Sequence, residues 1–473
     1  MTGAVAAVDL GATSGRVILG RVSEDRVDLT TVHRFANTPV ATVDGLHWNI
    51  LELYRHVLEG IGRALDAEPA LCSVAVDSWA VDYALMRGDA MLGTPYHYRD
   101  DRTAEAVRTV HDRIGPAELY ARNGLQFLPF NTVYQLIADG DLVRSADAML
   151  MIPELFTYWL TGHQVAEVTN GSTTGLLNVR TRAWDTTLIE LLGLPRGLFN
   201  ELVEPGTAVG GLLGPVLGEV GAGERVTVRT VGSHDTASAV VGTPLTGDGA
   251  AYVSCGTWGL VGVELDRPVL SEAGLAAGFT NEAGVDGRIR FLHNVMGLWL
   301  LSESVRTWER ESGPVDLPEL IAEAGRVRGR VAVFDVDDTR FLAPGDMPRR
   351  IMAYCTEHDL VVPRTRVELV RSILESLAEA FAGAVVAAGE LSGTRAGAVH
   401  LVGGGSQNTL LCQLTADRSG LPVLAGPVEA TALGNVLVQA RAEGLVTGDL
   451  GRLRALVAAA LPPTRYLPRE ARR

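Results

Sequence analysis

Residues 230–240 read Thr-Val-Gly-Ser-His-Asp-Thr-Ala-Ser-Ala-Val, a polar cluster set where a strand gives way to a small-residue helix. That is where α/β folds expose catalytic groups. A carboxylate at Asp235 could accept the proton of a substrate hydroxyl as it attacks a phosphoryl group, a role worth about 10²–10⁴-fold. The same side chain could instead cap the helix that follows, and His234 could be a satisfied core histidine. Ser238 forms no nucleophile elbow, because Gly-x-Ser-x-Gly is absent. A second cluster, Asp77-Ser78-Trp79-Ala80-Val81-Asp82-Tyr83, mixes carboxylates with aromatic rings. Sugar pockets use that mixture, rings covering C–H faces while polar groups take hydroxyls. Trp79 and Tyr83 fit a core equally well. Tyr98-Arg99-Asp100-Asp101-Arg102-Thr103 reads as a solvated, charged turn.

Two segments echo each other. AVAAVDLGATSGRVILGRV near the start and GAAYVSCGTWGLVGVEL after the middle both read strand, small-residue turn, strand. Their turns hold Gly11 to Gly15 and Ser254 to Thr257, where glycine lets backbone N–H groups and hydroxyls approach an anion. Such a turn is also the mark of an ordinary hairpin. Asp9 and Arg16 flank the first copy. A third element, Val399-His400-Leu401-Val402, runs into Gly403-Gly404-Gly405 and then an apolar helical segment, the makings of an anion or nucleotide-edge site.

The elements that must position these groups alternate. Strand-like runs at Val5 to Val8, Val74 to Val76 and Val226 to Val231 interleave with helical segments at Ile50 to Leu65, Leu317 to Glu323 and Val367 to Ala388. This is an α/β pattern. The echo divides the chain into two related halves, residues 1–242 and 250–473, with a Pro/Gly-rich hinge at 243–249.

Composition narrows the chemistry. The 473 residues are 47% hydrophobic and 21% charged, a core-forming balance, and the formal charge of −15 argues against nucleic acid or an anionic membrane as partner. All 41 basic residues are arginine. The absence of lysine excludes a Gly-Lys-Ser/Thr phosphate loop, a protein-kinase phosphate-pairing lysine and a pyridoxal-phosphate Schiff base. Cys72, Cys255, Cys355 and Cys412 form no CxxC pair, which fits reduced thiols and a cytoplasmic location. The N-terminal MTGAVAAVDL lacks a basic region, no apolar run reaches membrane-spanning length, and the sequon at Asn170 reads as accidental.

Taken together, these motifs resemble the FGGY carbohydrate kinases of the actin-like ATPase superfamily, from Ala6 to about Asn435. The likeness rests on Val8 to Arg16, Asp77-Ser78-Trp79, Gln126-Phe127-Leu128-Pro129-Phe130-Asn131-Thr132, Ser233 to Val240, Ser254 to Trp258, Asn294-Val295-Met296-Gly297-Leu298-Trp299 and Val402 to Leu411. It implies two actin-like (ribonuclease H-like) domains with a nucleotide and sugar cleft between them. It also implies transfer of the ATP γ-phosphate to the 1-hydroxyl of a ketose, L-rhamnulose foremost, with L-fuculose, L-ribulose and D-xylulose as alternatives. A non-kinase actin-like ATPase is the reading from a different class. By position the resemblance makes Asp235 the base and puts Trp79, Ala80, His234, Thr236 and Asn294 on the sugar. Ala12, Thr13, Ser14, Gly15, Arg16, Thr257, Ser302 and Gly404 hold ATP, and Asp9 sits near Mg²⁺, through water. Two positions depart from the pattern: Ala80 stands where glycine is common, and Ser302 where a nucleotide-contacting glutamine is usual. The expected assembly is a monomer or weak homo-oligomer.

Overall fold

A computed structural model describes residues 3–222, 226–245 and 249–469. By packing, the chain forms two compact units, one of Met1–Pro244, Glu264–Phe291 and Ala430–Ala460, the other of Leu245–Val263, Leu292–Glu429 and Leu461–Arg473. The units therefore do not follow a single division of the chain at 243–249, since two later segments pack with the first unit. Thr246, Gly247 and Asp248 of the expected hinge lie outside the described residues.

The first unit is built on strands β1 (Gly3–Leu10), β2 (Ser14–Ser23), β3 (Arg26–Ala36), β4 (Leu71–Ser78), β5 (Ala208–Gly211) and β6 (Thr227–Arg229), in the order β5-β6-β4-β1-β2-β3. The predicted first hairpin is present, antiparallel from Gly3↔Val22 to Leu10↔Gly15. β4 runs parallel to β1, which sets Asp77 beside Asp9, and β6 runs parallel to β4. Three parallel strands thus end on one edge, where loops can converge.

Helix α1 (Ile50–Ala67) buries Ile50, Leu53, Val57, Ile61 and Ala64, the stripe a 3.6-residue period requires. Gly60 on that stripe lies so close to β2 that a Cβ there would sit 2.2 Å from Val17. Further helices are α2 (Asp235–Val241), α3 (Trp299–Ser312), α4 (Arg366–Ser392), α5 (Thr409–Ser419), α6 (Ala430–Ala442) and α7 (Leu450–Ala460). A core of Val5, Ala7, Ile18, Val22, Ala75, Val241, Leu433, Val436, Leu437, Leu453 and Val457 joins the sheet to α2, α6 and α7.

The second unit repeats the plan. Its strands β7 (Ala250–Cys255), β8 (Trp258–Leu265), β9 (Ile289–Met296), β10 (Ala398–Val402), β11 (Val423–Ala425) and β12 (Thr464–Tyr466) follow the order β9-β8-β7-β10-β11-β12. The second hairpin is present, antiparallel from Ala251↔Val263 to Cys255↔Gly259, and β10 runs parallel to β7. The expected α/β class, with two mixed sheets each opening on a hairpin, is what the chain adopts.

One expectation fails. The 98–103 segment is not a solvated turn: Tyr98 is buried, the Asp100 carboxylate accepts from the Leu46 N–H at 2.8 Å, and Arg102 pairs with Asp139. The side chains that hold it lie far away in sequence, so the local charge pattern does not reveal them. Asn170 of the sequon is fully buried. All four cysteines are free, and among the described residues no helix is long and apolar enough to cross a membrane.

Candidate active site

In the first unit, the ends of β1 and β4 and the loop after β6 are tied together by backbone bonds. The Ser78 N–H donates to the Ser233 carbonyl at 2.9 Å, and the Trp79 N–H to the Leu10 carbonyl at 3.3 Å. This brings Asp9, Asp77, Trp79, Ala80, His234, Asp235 and Thr236 onto one edge. Across the hairpin rung Arg16 holds Asp9 through Nε at 2.8 Å and Nη2 at 2.7 Å. Asp77 is fully buried; Asn435 Nδ2 donates to its Oδ2 at 2.5 Å and its Oδ1 has no hydrogen-bond partner. Burial first, and the neighbouring Asp9 charge second, push the Asp77 carboxyl well above the ordinary range.

Asp235 is the first residue of α2, with His234 at the N-cap and no side-chain cap bond. The N-cap position thus falls to His234, while the Asp235 carboxylate, in the first turn, accepts from the Thr236 N–H. It is 30% exposed, accepts from Thr236 Oγ1 at 3.0 Å and lies 3.4 Å from His234 Nε2. Burial raises its pKa, His234 works against that shift, and Asp9 adds to it. A carboxylate whose pKa is raised, yet which stays reachable, is a better proton acceptor than an ordinary surface aspartate.

The histidine beside it is locked. His234 Nδ1 lies 3.2 Å from Glu282 Oε2 and 3.0 Å from Arg290 Nη2, and the fully buried Arg290 also donates from Nε to the Ala283 carbonyl at 3.0 Å. Burial alone would raise Glu282, but Arg290 and His234 hold it below the usual carboxylate range. Beneath the loop, burial and then the Glu167 charge push Glu154 up to about 8. The Ser233 hydroxyl lies between the two carboxyls as their donor, with Oγ 2.7 Å from Glu154 Oε1 and 2.8 Å from Glu167 Oε2. The 233–235 loop therefore rests on a buried network of Glu154, Glu167, Glu282 and Arg290, which fixes the direction of Asp235.

Trp79 is 5% exposed and its indole N–H is taken by Asp82 Oδ2 at 3.1 Å, so it can offer a ring face but no donor. Asp82 also accepts from Trp48 Nε1 at 2.7 Å, the Tyr98 N–H at 3.1 Å and Gln135 Nε2 at 2.9 Å, while burial raises its pKa to about 7. Ala80 is half-buried, and Val81 behind it is held at φ 67°, a left-handed conformation that a β-branched residue adopts at a cost of about 1–3 kcal/mol. Thr132 Oγ1 holds that turn by donating to the Val81 carbonyl at 2.6 Å. Asp82→Ala removes the acceptor of the Trp48 and Trp79 indole N–H groups and of the Tyr98 N–H, while Gln135 Nε2 keeps the Val81 and Phe130 carbonyls. At about 1–3 kcal/mol for each orphaned buried group, the expected loss exceeds about 3 kcal/mol in urea unfolding; unchanged stability would contradict this role.

Both hairpin turns and the glycine turn are present at the expected residues. In the first unit Ala12, Thr13 and Ser14 are partly exposed, and Asn37 buttresses the turn by donating from Nδ2 to the Gly11 carbonyl at 2.9 Å and from its N–H to the Thr13 carbonyl at 3.0 Å. Gly15 is needed for space, since a Cβ there would lie 2.3 Å from the Phe35 ring. In the second unit Thr257 is partly exposed, and the glycine turn after β10 lies on the hairpin: a Cβ on Gly405 would lie 2.3 Å from Cys255 Sγ. Gly404 faces open space. Ser302 is exposed in the first turn of α3, whose start is pinned by the Leu298 N–H donating to the Gly256 carbonyl at 3.0 Å. Asn294, on β9, is half-buried in this second unit.

Sequence reasoning singled out Asp77 but gave it no role, and it missed Glu282, Arg290, Glu154, Glu167 and Asn435 altogether. These are isolated polar residues in otherwise unremarkable segments. Only the fold shows that they support the 233–235 loop and Asp77.

The chain matches the FGGY family of carbohydrate kinases, N-terminal domain, over residues 4–242, and its C-terminal domain over residues 251–443. It is 43% identical to a rhamnulokinase of Pectobacterium carotovorum, covering 98% of this chain and 93% of that one. It is 38% identical to a rhamnulokinase of Bacteroides thetaiotaomicron, covering 98% and 96%. Among solved structures, a gluconate kinase from Lactobacillus acidophilus superposes with a TM-score of 0.79 at 16% identity, covering 99% and 94%, and shares the fold. The α/β fold with its paired hairpins and these full-length matches agree: the chain belongs to the FGGY family of carbohydrate kinases.

Proposed function

We propose that this carbohydrate kinase transfers the γ-phosphate of ATP to the 1-hydroxyl of L-rhamnulose, with Asp235 as the general base. The substrate is supported by identities of 38–43% to rhamnulokinases over 98% of the chain. The observation that carries the mechanism is the Asp235 carboxylate, partly exposed, raised in pKa and fixed between His234 and Thr236. As the sugar oxygen attacks phosphorus, Asp235 takes its proton, and His234 and Thr236 orient the hydroxyls nearby. Trp79 supplies a ring face and Ala80 a small wall, while Asn294 contributes a further sugar contact. Residues 1–242 carry the sugar and the first phosphate loop in this reading, and residues 250–473 the nucleotide contacts.

Ala12 to Arg16 and Thr257 grip phosphates through backbone N–H groups and hydroxyls, with Gly404 and Ser302 beside the nucleotide. The oxygen donor set of Asp9, Asp77 and Asp235 suits Mg²⁺, a hard cation, and the unpartnered Asp77 Oδ1 is consistent with a further partner there. When bound, Mg²⁺ neutralises charge on the β- and γ-phosphates; Asp9 would hold it through water. No lysine is then needed. A cytoplasmic location belongs to the same reading, supported by the four free cysteines.

The test is a panel of ketoses with ATP. L-Rhamnulose is expected to show a kcat/KM at least about tenfold above L-fuculose, L-ribulose and D-xylulose, a modest discrimination of about 1.4 kcal/mol. A higher value for another ketose would replace the substrate. Strong ATP turnover without any sugar would point instead to a non-kinase ATPase.

A further inference from the structure

On the face of the first unit formed by α1 and β3, His33, His56 and Glu59 turn one ligand atom each toward a common point. His33 Nε2 lies 3.1 Å from His56 Nδ1 and 3.6 Å from Glu59 Oε2, and His56 Nδ1 lies 3.8 Å from the same oxygen. We propose that these three side chains form a binding site for a divalent transition metal of the Zn²⁺ class, separate from the kinase site.

The spacing is the first argument. Zn–N and Zn–O bonds of about 2.0–2.2 Å in a tetrahedron place ligand atoms about 3.3–3.5 Å apart, and the three observed separations bracket that value. His56 and Glu59 stand one helical turn apart on α1, hence on one face, while β3 delivers His33 from the other side. The second argument is orientation. His56 Nε2 lies 3.4 Å from Glu52 Oε1 and 3.3 Å from Arg55 Nη2; in the tautomer that donates to Glu52, the Nδ1 lone pair turns inward. A carboxylate on the outer imidazole nitrogen is the arrangement that raises ligand basicity in metal sites. Phe35 stacks on the His56 ring at 4.7 Å and 10°, limiting its rotation. Glu59 turns Oε2 toward the two imidazoles, with Arg55 Nη1 3.7 Å from it, while Oε1 accepts from Arg63.

Arg55 and Arg63 stand beside the cluster, each paired with Glu59. They reduce the attraction for a dication, so the affinity must come from the donor atoms. Two imidazoles and one carboxylate select Zn²⁺, Co²⁺, Ni²⁺ or Cu²⁺ over Mg²⁺, which prefers oxygen. Three protein ligands leave a fourth position for water, and the partial exposure of His56 and Glu59 gives it an entry path.

The experiment is chelator-competition titration of the metal-stripped full-length protein with Zn²⁺ alone, repeated on His56→Gln, Glu59→Gln and Cys72→Ser. The wild type and Cys72→Ser are expected to bind one equivalent. His56→Gln and Glu59→Gln are expected to bind more than about tenfold more weakly, since losing even an orienting partner costs about 10–100-fold. Co²⁺ is expected to give the intense visible band of tetrahedral coordination in the wild type and to lose it in His56→Gln. Circular dichroism verifies that each variant is folded. Equal Zn²⁺ affinity in wild type, His56→Gln and Glu59→Gln, or loss of binding in Cys72→Ser, would overturn the site.

Discussion

Asp235→Asn is expected to lower kcat for sugar phosphorylation by about 10²–10⁴-fold, the range a positioned general base contributes, while ATP binding and folding are retained. Asparagine keeps the volume and can still accept from Thr236 Oγ1 through its carbonyl oxygen. It also keeps the helix start, because the N-cap position belongs to His234 and the amide oxygen can still accept from the Thr236 N–H. What disappears is the ability to take a proton. Kinetics under saturating ATP and sugar, with nucleotide binding measured separately, isolate that loss. A kcat within about tenfold of wild type would remove Asp235 from the base role.

Gly434→Ala is expected to be the most damaging small substitution in the first unit. Helices α2 and α6 cross there with backbone on backbone: a Cβ on Gly434 would lie 1.8 Å from the Ser238 carbonyl oxygen, and one on Gly242 would lie 2.1 Å from that of Ala430. No side chain stands between them to yield. The helices must separate, which opens the core around Val241, Leu433 and Leu437, and overpacking of a close contact costs about 1–3 kcal/mol or more. Because α2 carries Asp235, the displacement reaches the site. Both a lower unfolding temperature and a reduced kcat are expected in calorimetry and steady-state assays. A variant with wild-type values for both would show that the crossing tolerates a methyl group.

The sequence announces this protein wherever structure is local. Each hairpin turn is written in consecutive Gly, Ser and Thr residues, and the apolar alternation around Val5 to Val8 and Val74 to Val76 marks strands that the parallel pairing then aligns. Asp235 is legible because strand, polar cluster and helix follow one another without interruption. The groups that orient it are not. Asn435 reaches Asp77 across 358 residues, and Arg290 reaches His234 across 56. Neither belongs to a pattern that a linear reading can weigh. Long-range packing also explains why Glu264–Phe291 and Ala430–Ala460 join the first unit. The 98–103 loop misleads for the same reason: its charges look solvated until Asp139 and the Leu46 N–H are brought to them.

The pH dependence of kcat/KM for L-rhamnulose, measured over the acid range in which the protein stays folded, tests the role of Asp235 most directly. The base must be ionised to act, and burial raises the pH at which ionisation occurs. The expected profile therefore rises with pH, through a midpoint above the ordinary aspartate value of about 3.9. A rate that stays flat down to that value would contradict a raised carboxyl group as the proton acceptor.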